Sequence, residues 1–365
     1  MTDGGGFTER EPPPVFHHRN DIAAIPLHFL FVLTSLIFGS LAFVSCSKKE
    51  TLTKEVNIYT YDSFSGEWGA GPAIAQAFEA KTGIHVNYID CEDGVAILSR
   101  AVSEKAAPQA DILLGLDNNL ALRAAKEDVL VSYKAANLEK CVSSDFVKAL
   151  NPKTANLLTP YDYSHFAVIF DTLSSYKAPA SLSDLTKPEY EAAFITMDPR
   201  TSTPGLGFLS WTVAVFGDDY PKFWEALKPS ILTMSPSWSS GYGMFTNGES
   251  PMAISYVTSP AYHVEYDDTD RFQAVLFDEG HVMQVEGAGL LKGAKNAAAA
   301  KMFLDFLVST EAQELLPIGQ WMFPVNKDVV LPSCYEICKV PSKTIYADAE
   351  KVEKAVNVVM DILNR

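Results

Sequence analysis

The chain has 365 residues, of which 47% are hydrophobic and 20% charged, and its formal net charge is −16. This length allows one large or two medium domains with a sizeable core. The negative charge argues against nucleic acid and against an anionic membrane surface as partners. It suits a soluble protein and weakly favours cationic ligands, although solubility alone would also explain it.

Residues 22–45 form a long apolar run that ends just before a cysteine. About twenty apolar residues are enough to span a bilayer. Three interpretations compete: a cleaved signal peptide, a lipoprotein signal and an uncleaved anchor. The segment Phe43-Val44-Ser45-Cys46 resembles a bacterial lipobox, although Phe43 stands where leucine is usual. We favour lipidation of Cys46. All three interpretations place the mature domain in the periplasm or outside the cytoplasmic membrane, and the favoured one adds a lipid anchor.

The first part of the mature chain alternates short β-runs with helical windows. Strands are predicted at residues 56–61, 85–91 and 111–116, and helices begin at Pro72, Val95 and Asn118. Proline in a first turn and glycine after a last one, as at Gly83, are typical helix boundaries. Repeated strand–helix order implies right-handed crossovers and a parallel sheet.

The second part has the same α/β character. Strands are predicted at residues 165–170, 194–197, 252–256 and 284–291, with helices starting at 181 and covering 205–216, 238–245, 296–315 and 347–365. Two lobes are expected, and the chain crosses between them near residues 155–165 and again near 257–275. Such a protein can close around a ligand by hinge motion.

The predicted organisation has five parts. They are an N-terminal extension with its signal segment (1–45), a tether (46–54), a first lobe (55–158 with about 275–330), a second lobe (159–274), and a C-terminal segment that carries the terminal helix (331–365).

Polar and aromatic residues follow several of the predicted strands. They lie at 61–63, 91–94, 117–119, 200–205 and 256–262. In open α/β sheets, ligands bind beyond the carboxyl ends of the strands, so these segments should line one cleft. Any one of them could instead be a turn or a helix cap. Trp68, Trp238 and Trp321 stand in loop-like contexts, which suits stacking on a planar or cationic ligand or simple anchoring of a loop. Trp211 and Trp224 have apolar helical neighbours and are expected in the core.

Catalytic and metal-binding motifs are not found. The chain has no nucleophile elbow, phosphate loop or zinc-protease helix. The cysteines have no zinc-finger spacing, and Cys334 and Cys338 could form a disulfide or stay as free thiols. His263 and His281 lack a partner at metal-ligand spacing and are expected at the surface. No resident cofactor or metal is therefore expected.

Six segments together resemble the thiamine-binding periplasmic proteins, the substrate-binding subunits of bacterial thiamine ABC importers. The segments are 59–64 with 68–69, 92–94, 114–119, 198–207, 256–263 and 320–325. The resemblance runs from about residue 55 to 330. It implies a two-lobed class II periplasmic-binding-protein fold of the α/β class, with a hinge and an interlobe cleft. It also implies a monomer that carries thiamine or its mono- and diphosphate to the permease subunits, and that is not an enzyme.

The resemblance also assigns roles to individual residues. Trp238, Tyr256, Tyr262 and Trp321 would be aromatic walls for the pyrimidine and thiazolium rings. The first lobe would contribute Tyr61, Asp93 and Gly94, and Ser202 would approach the phosphate or hydroxyethyl end. Trp68 is added to this ligand-binding set from its position alone. Two features depart from the family pattern: Lys81–Ile84 stand where some relatives have a cysteine pair, and the tail beyond residue 330 has no clear counterpart.

Rival interpretations use the same fold. A thiaminase I-like enzyme would use Cys91 as its nucleophile, but Glu92 and Asp93 beside it would raise the pKa of the thiol instead of lowering it. A ferric-ion binder would need adjacent tyrosines, which the chain lacks. A binder of another small cation or of a sugar is the remaining alternative.

Overall fold

The computed structural model describes residues 52–151, 153 and 156–365. The predicted signal segment and Cys46 lie outside these residues, as does most of the tether. In the part that is described, no helix combines the length and the apolar character needed to cross a membrane.

Twelve strands are described. They are β1 (Glu55–Thr60), β2 (His85–Asp90), β3 (Ile112–Asp117), β4 (Leu130–Val131), β5 (Thr159–Asp171), β6 (Phe194–Met197), β7 (Ile231–Ser235), β8 (Met252–Tyr256), β9 (Phe272–Val275), β10 (His281–Leu291), β11 (Phe323–Pro324) and β12 (Thr344–Ile345).

Fourteen α-helices are described. They are α1 (Asp62–Ser65), α2 (Ala70–Thr82), α3 (Gly94–Ser103), α4 (Ala121–Lys126), α5 (Leu138–Cys141), α6 (Ser144–Leu150), α7 (Thr203–Phe216), α8 (Tyr220–Leu227), α9 (Trp238–Thr246), α10 (Pro260–Tyr266), α11 (Ala297–Leu307), α12 (Thr310–Gln313), α13 (Leu316–Gly319) and α14 (Ala349–Leu363). Short 3₁₀ helices cover Ser183–Thr186, Pro188–Tyr190, Gly217–Asp219, Lys228–Ser230 and Ser333–Ile337.

Strand β5 belongs to two sheets. Its first half, from Thr159 to His165, pairs with β10, and its second half, from Phe166 to Phe170, pairs with β8. The order is β2-β1-β3-β10-β5 in the first sheet and β5-β8-β6-β7 in the second. The two halves of the protein are therefore joined through a continuous strand.

The strand directions follow from how the chain connects the strands. The pairs β1–β2, β1–β3, β6–β7 and β6–β8 are parallel, as the repeated strand–helix order predicts. Strand β10 runs antiparallel to both β3 and β5, because it enters the first sheet from the second one and not through a crossover helix. The sheets are therefore mixed, not purely parallel.

Helix boundaries follow local chemistry. Helix α2 ends at Gly83, whose left-handed backbone (φ 69°) closes its last turn. Helix α4 starts at Ala121, later than the predicted residue 118. The Asp117 carboxylate accepts the backbone N–H groups of Asn119 and Leu120, which holds a turn at that point.

The core is continuous through both halves. All six residues of β3 are buried, as its apolar run predicts. Trp211 and Trp224 are fully buried, which confirms their assignment to the core. The terminal helix α14 packs against α7 and α8 with an apolar face that includes Val352 and Val359.

Candidate functional site

A cleft of about 600 Å³ opens where the ends of both sheets meet. Its lining comes from the segments after β1 and β2, the starts of α7 and α9, strand β10, helix α10 and the loop that follows α13. This volume lies within the range of small-molecule sites. The position agrees with the rule that ligands bind beyond the carboxyl ends of strands.

Most of the residues predicted for the site do line this cleft. They are Tyr61, Trp68, Asp93, Trp238, Tyr256, Tyr262 and Trp321. Gly94 and Ser202 lie behind the lining. A Cβ on Gly94 would come within 2.4 Å of Thr203 Oγ1, and Ser202 is fully buried. Thr203 and Pro204 take the lining position instead, because α7 begins at residue 203 and turns Ser202 inward.

One aromatic wall is a stacked pair on α9. The rings of Trp238 and Tyr242 lie 5.0 Å apart with an interplanar angle of 15°. The indole N–H of Trp238 donates to Ser255 Oγ at 2.8 Å, which fixes the plane of the ring. Tyr242 was not predicted from the sequence. Its spacing of four residues from Trp238 on one helix would have revealed it.

A second aromatic wall is a cluster of three rings. Trp321 meets Tyr262 at 5.4 Å and Tyr266 at 5.5 Å, edge to face in both cases. The backbone of Trp321 has φ 59°, a left-handed conformation that costs a bulky residue roughly 1–3 kcal/mol. Trp68 is 82% exposed at the edge of the cleft. Several aromatic ring faces are therefore available to a ligand in the cleft.

Asp93 connects the first half of the protein to the second. Its Oδ1 accepts the N–H groups of Gly94 and Thr203, each at 2.7 Å, and its Oδ2 accepts that of Trp238 at 3.4 Å. It therefore stands at the N-termini of three helices, α3, α7 and α9. The carboxylate occupies the start of α7, where free backbone N–H groups favour an anion. Burial raises the pKa of Asp93, although these hydrogen bonds oppose the rise.

A second contact across the cleft joins Ser239 to Asp62. The hydroxyl of Ser239 donates to Asp62 Oδ1 at 2.8 Å. Both residues line the cleft, one at the start of α9 and the other in α1. The structure therefore shows the two halves in contact around the cleft.

The floor of the cleft is polar. The hydroxyls of Tyr61 and Tyr161 donate to Glu286 Oε2 at 2.8 and 3.0 Å. Gln320 Nε2 donates to the Tyr61 hydroxyl at 2.6 Å, and the Tyr256 hydroxyl donates to Gln284 Oε1 at 3.3 Å. Burial and the charge of Glu286 raise the pKa of Tyr61 well above its usual range.

The floor residues on β10 and after α13 were missed at the sequence level. The signal for Glu286 was available, because a charged residue inside an apolar strand run is rarely buried without a partner. Gln320 had no such signal, since its position depends on how α13 packs beside α2.

The histidines predicted for the surface are buried, so that prediction was wrong. His281 is held between the Phe166 carbonyl (2.8 Å) and the Phe277 N–H (2.7 Å). His263 contacts the Tyr242 hydroxyl at 3.0 Å and Asp267 at 2.7 Å. Desolvation lowers the pKa of both rings.

Cys91 is buried and does not line the cleft. Burial raises the pKa of its thiol, although Arg100 Nη1, 3.6 Å from the sulfur, opposes the rise. A raised pKa is the opposite of what a nucleophilic cysteine needs.

Cys91, Cys141, Cys334 and Cys338 are free thiols, so Cys334 and Cys338 do not form a disulfide in this structure. Among the described residues, no group of three or more His, Cys, Asp or Glu side chains could hold a metal ion.

Known proteins are similar to this chain in sequence and in fold. Residues 73–348 match the family model for the bacterial extracellular solute-binding protein. The thiamine-binding periplasmic protein of Brucella suis biovar 1 (strain 1330) is 38% identical over 331 residues, which cover 90% of this chain and 96% of that one. The protein of the same name from Escherichia coli (strain K12) is 39% identical over 290 residues, or 80% of this chain and 86% of its own.

Solved structures agree with these sequence relatives. A periplasmic thiamin binding protein superposes with a TM-score of 0.79 at 36% identity and covers 85% of this chain and 96% of its own. A ferric binding protein from Campylobacter jejuni superposes with a TM-score of 0.67 at 18% identity, which shows the shared fold alone. The neighbours confirm the predicted two-lobed binding-protein fold, and the chain belongs to the family of bacterial extracellular solute-binding proteins.

Proposed function

We propose that this protein captures thiamine outside the cytoplasm and delivers it to the permease of an ABC importer. Thiamine monophosphate and diphosphate belong to the proposed ligand set. The observation that carries the proposal is the pair of aromatic walls, Trp238 with Tyr242 and Trp321 with Tyr262, around a cleft with an acidic floor.

The chemistry of the ligand suits these walls. The thiazolium ring is a permanent cation, and each aromatic face attracts a desolvated cation by roughly 0.5–2 kcal/mol. The aminopyrimidine is planar and has both hydrogen-bond donors and acceptors, which the polar floor can meet. The relatives at 38% and 39% identity bear the name of thiamine-binding proteins, which supports the same ligand here.

The residues proposed to form the ligand-binding site are those predicted from the sequence. They are Tyr61, Trp68, Asp93, Gly94, Ser202, Trp238, Tyr256, Tyr262 and Trp321. Gly94 and Ser202 would act from behind the lining, by letting α3 and α7 approach the carboxylate of Asp93. The lobes proposed to close on the ligand are residues 55–158 with about 275–330, and 159–274. Residues 331–365 form the proposed C-terminal segment.

Calorimetry on fragment 50–365 tests the proposal, because residues 49–365 form one compact unit. Thiamine, its monophosphate and its diphosphate are titrated separately, and micromolar or tighter binding of thiamine is expected. Leu232→Ala, an exposed position outside the cleft lining, is a matched control that should bind normally. Absence of heat with all three compounds would contradict the assignment of thiamine and its phosphates as ligands.

A binding role, not catalysis, is proposed for the cleft. Incubation of thiamine with the wild type and with Cys91→Ser should leave the pyrimidine–thiazolium bond intact in both. Cleavage by the wild type alone would favour the thiaminase-like alternative.

We also propose that the mature protein is a monomer tethered to the outer side of the cytoplasmic membrane through a lipid on Cys46. Metabolic labelling with palmitate compares the full chain with Cys46→Ser. The wild type should incorporate the label and the variant should not. Equal labelling of the two, or no labelling of the wild type, would exclude this anchor.

A further inference from the structure

Three buried acidic residues face one another across three neighbouring strands. Glu286 on β10 is the register partner of Asp117 on β3 and of Asp162 on β5. Asp117 and Asp162 are fully buried, and Glu286 is 5% exposed. Glu286 alone of the three lines the cleft. Of these three carboxyl groups, only that of Glu286 therefore reaches the cleft.

The hydrogen bonds distinguish the members of this row. Glu286 accepts two tyrosine hydroxyls, which stabilise its ionised form. Asp117 accepts N–H groups from Asn119 and Leu120. Neither oxygen of Asp162 receives a hydrogen bond from a donor group of the described residues.

Asp162 and Glu286 instead interact with each other. The two residues are register partners on adjacent strands and both are buried, so ionisation of both carboxyl groups at once is disfavoured and a proton on one of them relieves the repulsion. Burial raises the pKa of Glu286 too, but its two tyrosine donors favour its ionised form, so we assign the proton of the pair to Asp162, which has no donor among the described residues. Desolvation and the neighbouring charge raise the pKa of Asp162 well above its usual range, in agreement with this assignment.

Other titratable groups near this pair lie on β3, α3, β8 and the 3₁₀ helix after β11. Desolvation raises the pKa of Asp117 on β3 to about 7. Asp93 at the start of α3 and Tyr256 on β8 interact electrostatically with Glu286. Tyr335, from the 3₁₀ helix after β11, interacts with Asp162. These described neighbours are all acids or phenols. None of them supplies a positive charge to balance Glu286.

Two amides beside Glu286 have unsatisfied atoms. Gln284 is 1% exposed and its Nε2 donor has no acceptor, while Gln320 Oε1 has no donor. Both residues line the cleft. Buried polar atoms are normally paired, so a spare donor and a spare acceptor that line the cleft point to a polar ligand, and the carboxylate of Glu286 beside them favours one that also carries a positive charge.

We propose that Glu286 supplies the counter-charge for the positively charged ring of the ligand, and that Asp162 is its positioning residue, holding a proton so that Glu286 stays ionised. This inference rests on the proposed function, since it assumes a heterocyclic cation in the cleft. It gives the floor a part in selecting ligands by charge, beyond the stacking that the aromatic walls provide.

The test compares thiamine with 3-deazathiamine, a neutral analogue of nearly the same shape. Calorimetry is carried out on the wild type, Glu286→Gln and Asp162→Asn. Glu286→Gln should weaken thiamine binding at least tenfold and change binding of the neutral analogue less than threefold. Asp162→Asn should bind thiamine within threefold of the wild type, because its amide N–H replaces the acid O–H.

Measurements of pH dependence keep the inference testable even if Glu286→Gln does not fold. Wild-type affinity for thiamine should fall as the pH is lowered and Glu286 gains a proton, while affinity for the neutral analogue stays constant. Asp162→Ala removes the donor, so its loss of thiamine affinity should begin at a higher pH.

The outcomes separate this inference from the proposed function. If the wild type binds neither compound, the proposed function fails. If it binds thiamine but Glu286→Gln binds both compounds normally, or loses both equally, the counter-charge role is overturned.

Discussion

Replacing Asp93 should weaken ligand binding by loosening the contact between the two halves of the protein. Asp93→Ala removes the acceptor for Thr203 N–H at 2.7 Å, and hydrogen bonds to a charged group contribute about 1.5–3 kcal/mol each. The bond to Trp238 N–H is long, at 3.4 Å, and adds little. The bond to Gly94 N–H lies within one half and does not affect closure.

If the ligand binds only the closed form, the lower stability of that form weakens the apparent affinity for the ligand by the same free energy. A shift of 1.5–3 kcal/mol corresponds to an affinity that is about 10- to 150-fold weaker. Asp93→Asn keeps an oxygen that can accept from Thr203, so it should lose less than Asp93→Ala.

Calorimetry measures the affinity, and small-angle X-ray scattering measures the radius of gyration with and without thiamine. Asp93→Ala should be more extended than the wild type without ligand. Ser99→Ala, in the same helix but outside the cleft lining, is the control for stability. Affinity within twofold of the wild type, with unchanged scattering, would refute the assignment of Asp93 to closure.

Three further predictions concern the walls, the floor and the thiols. Trp321→Ala and Tyr262→Ala should each weaken thiamine binding tenfold or more, about 1.4 kcal/mol, by calorimetry; unchanged affinity in both would mean that the cage is misplaced. The folded wild type keeps the Asp162 proton that the unfolded chain has lost above about pH 4, so its stability falls as pH rises. The melting temperature of Asp162→Asn, relative to that of the wild type, should therefore rise between pH 5 and pH 8; a constant difference would contradict the buried proton. Fragment 50–365 should show four reactive thiols when it is denatured without reductant, and a count of two would indicate a disulfide between Cys334 and Cys338.

Local signals in the sequence were sufficient for much of the fold. Strands β6 and β8 lie at the predicted residues, because turn residues and apolar runs fix both ends. Helix α2 ends at its glycine as expected. Helix α8 and strand β7 were missed, since the signals of a short amphipathic segment and of a half-exposed strand are weak.

The site was predicted unevenly for a physical reason. Trp238, the first residue of α9, and Trp321, in a loop, are conspicuous in the sequence, because large rings beside polar residues or glycine need a reason to be there. The floor depends on which strands become neighbours. Glu286 meets Asp117 and Asp162 only because β10 inserts between β3 and β5, and no local pattern encodes that insertion. Ser202 lies one residue before the lining residues of α7, since the start of a helix cannot be located from sequence to better than one or two residues.

The shared strand β5 has a consequence for how the protein unfolds. Melting either sheet would strip hydrogen bonds from half of β5 and expose the buried side chains along it. Neither half can therefore lose its structure without weakening the other. Although two lobes are proposed to close on the ligand, the protein should denature on heating as one cooperative unit, with a single calorimetric transition.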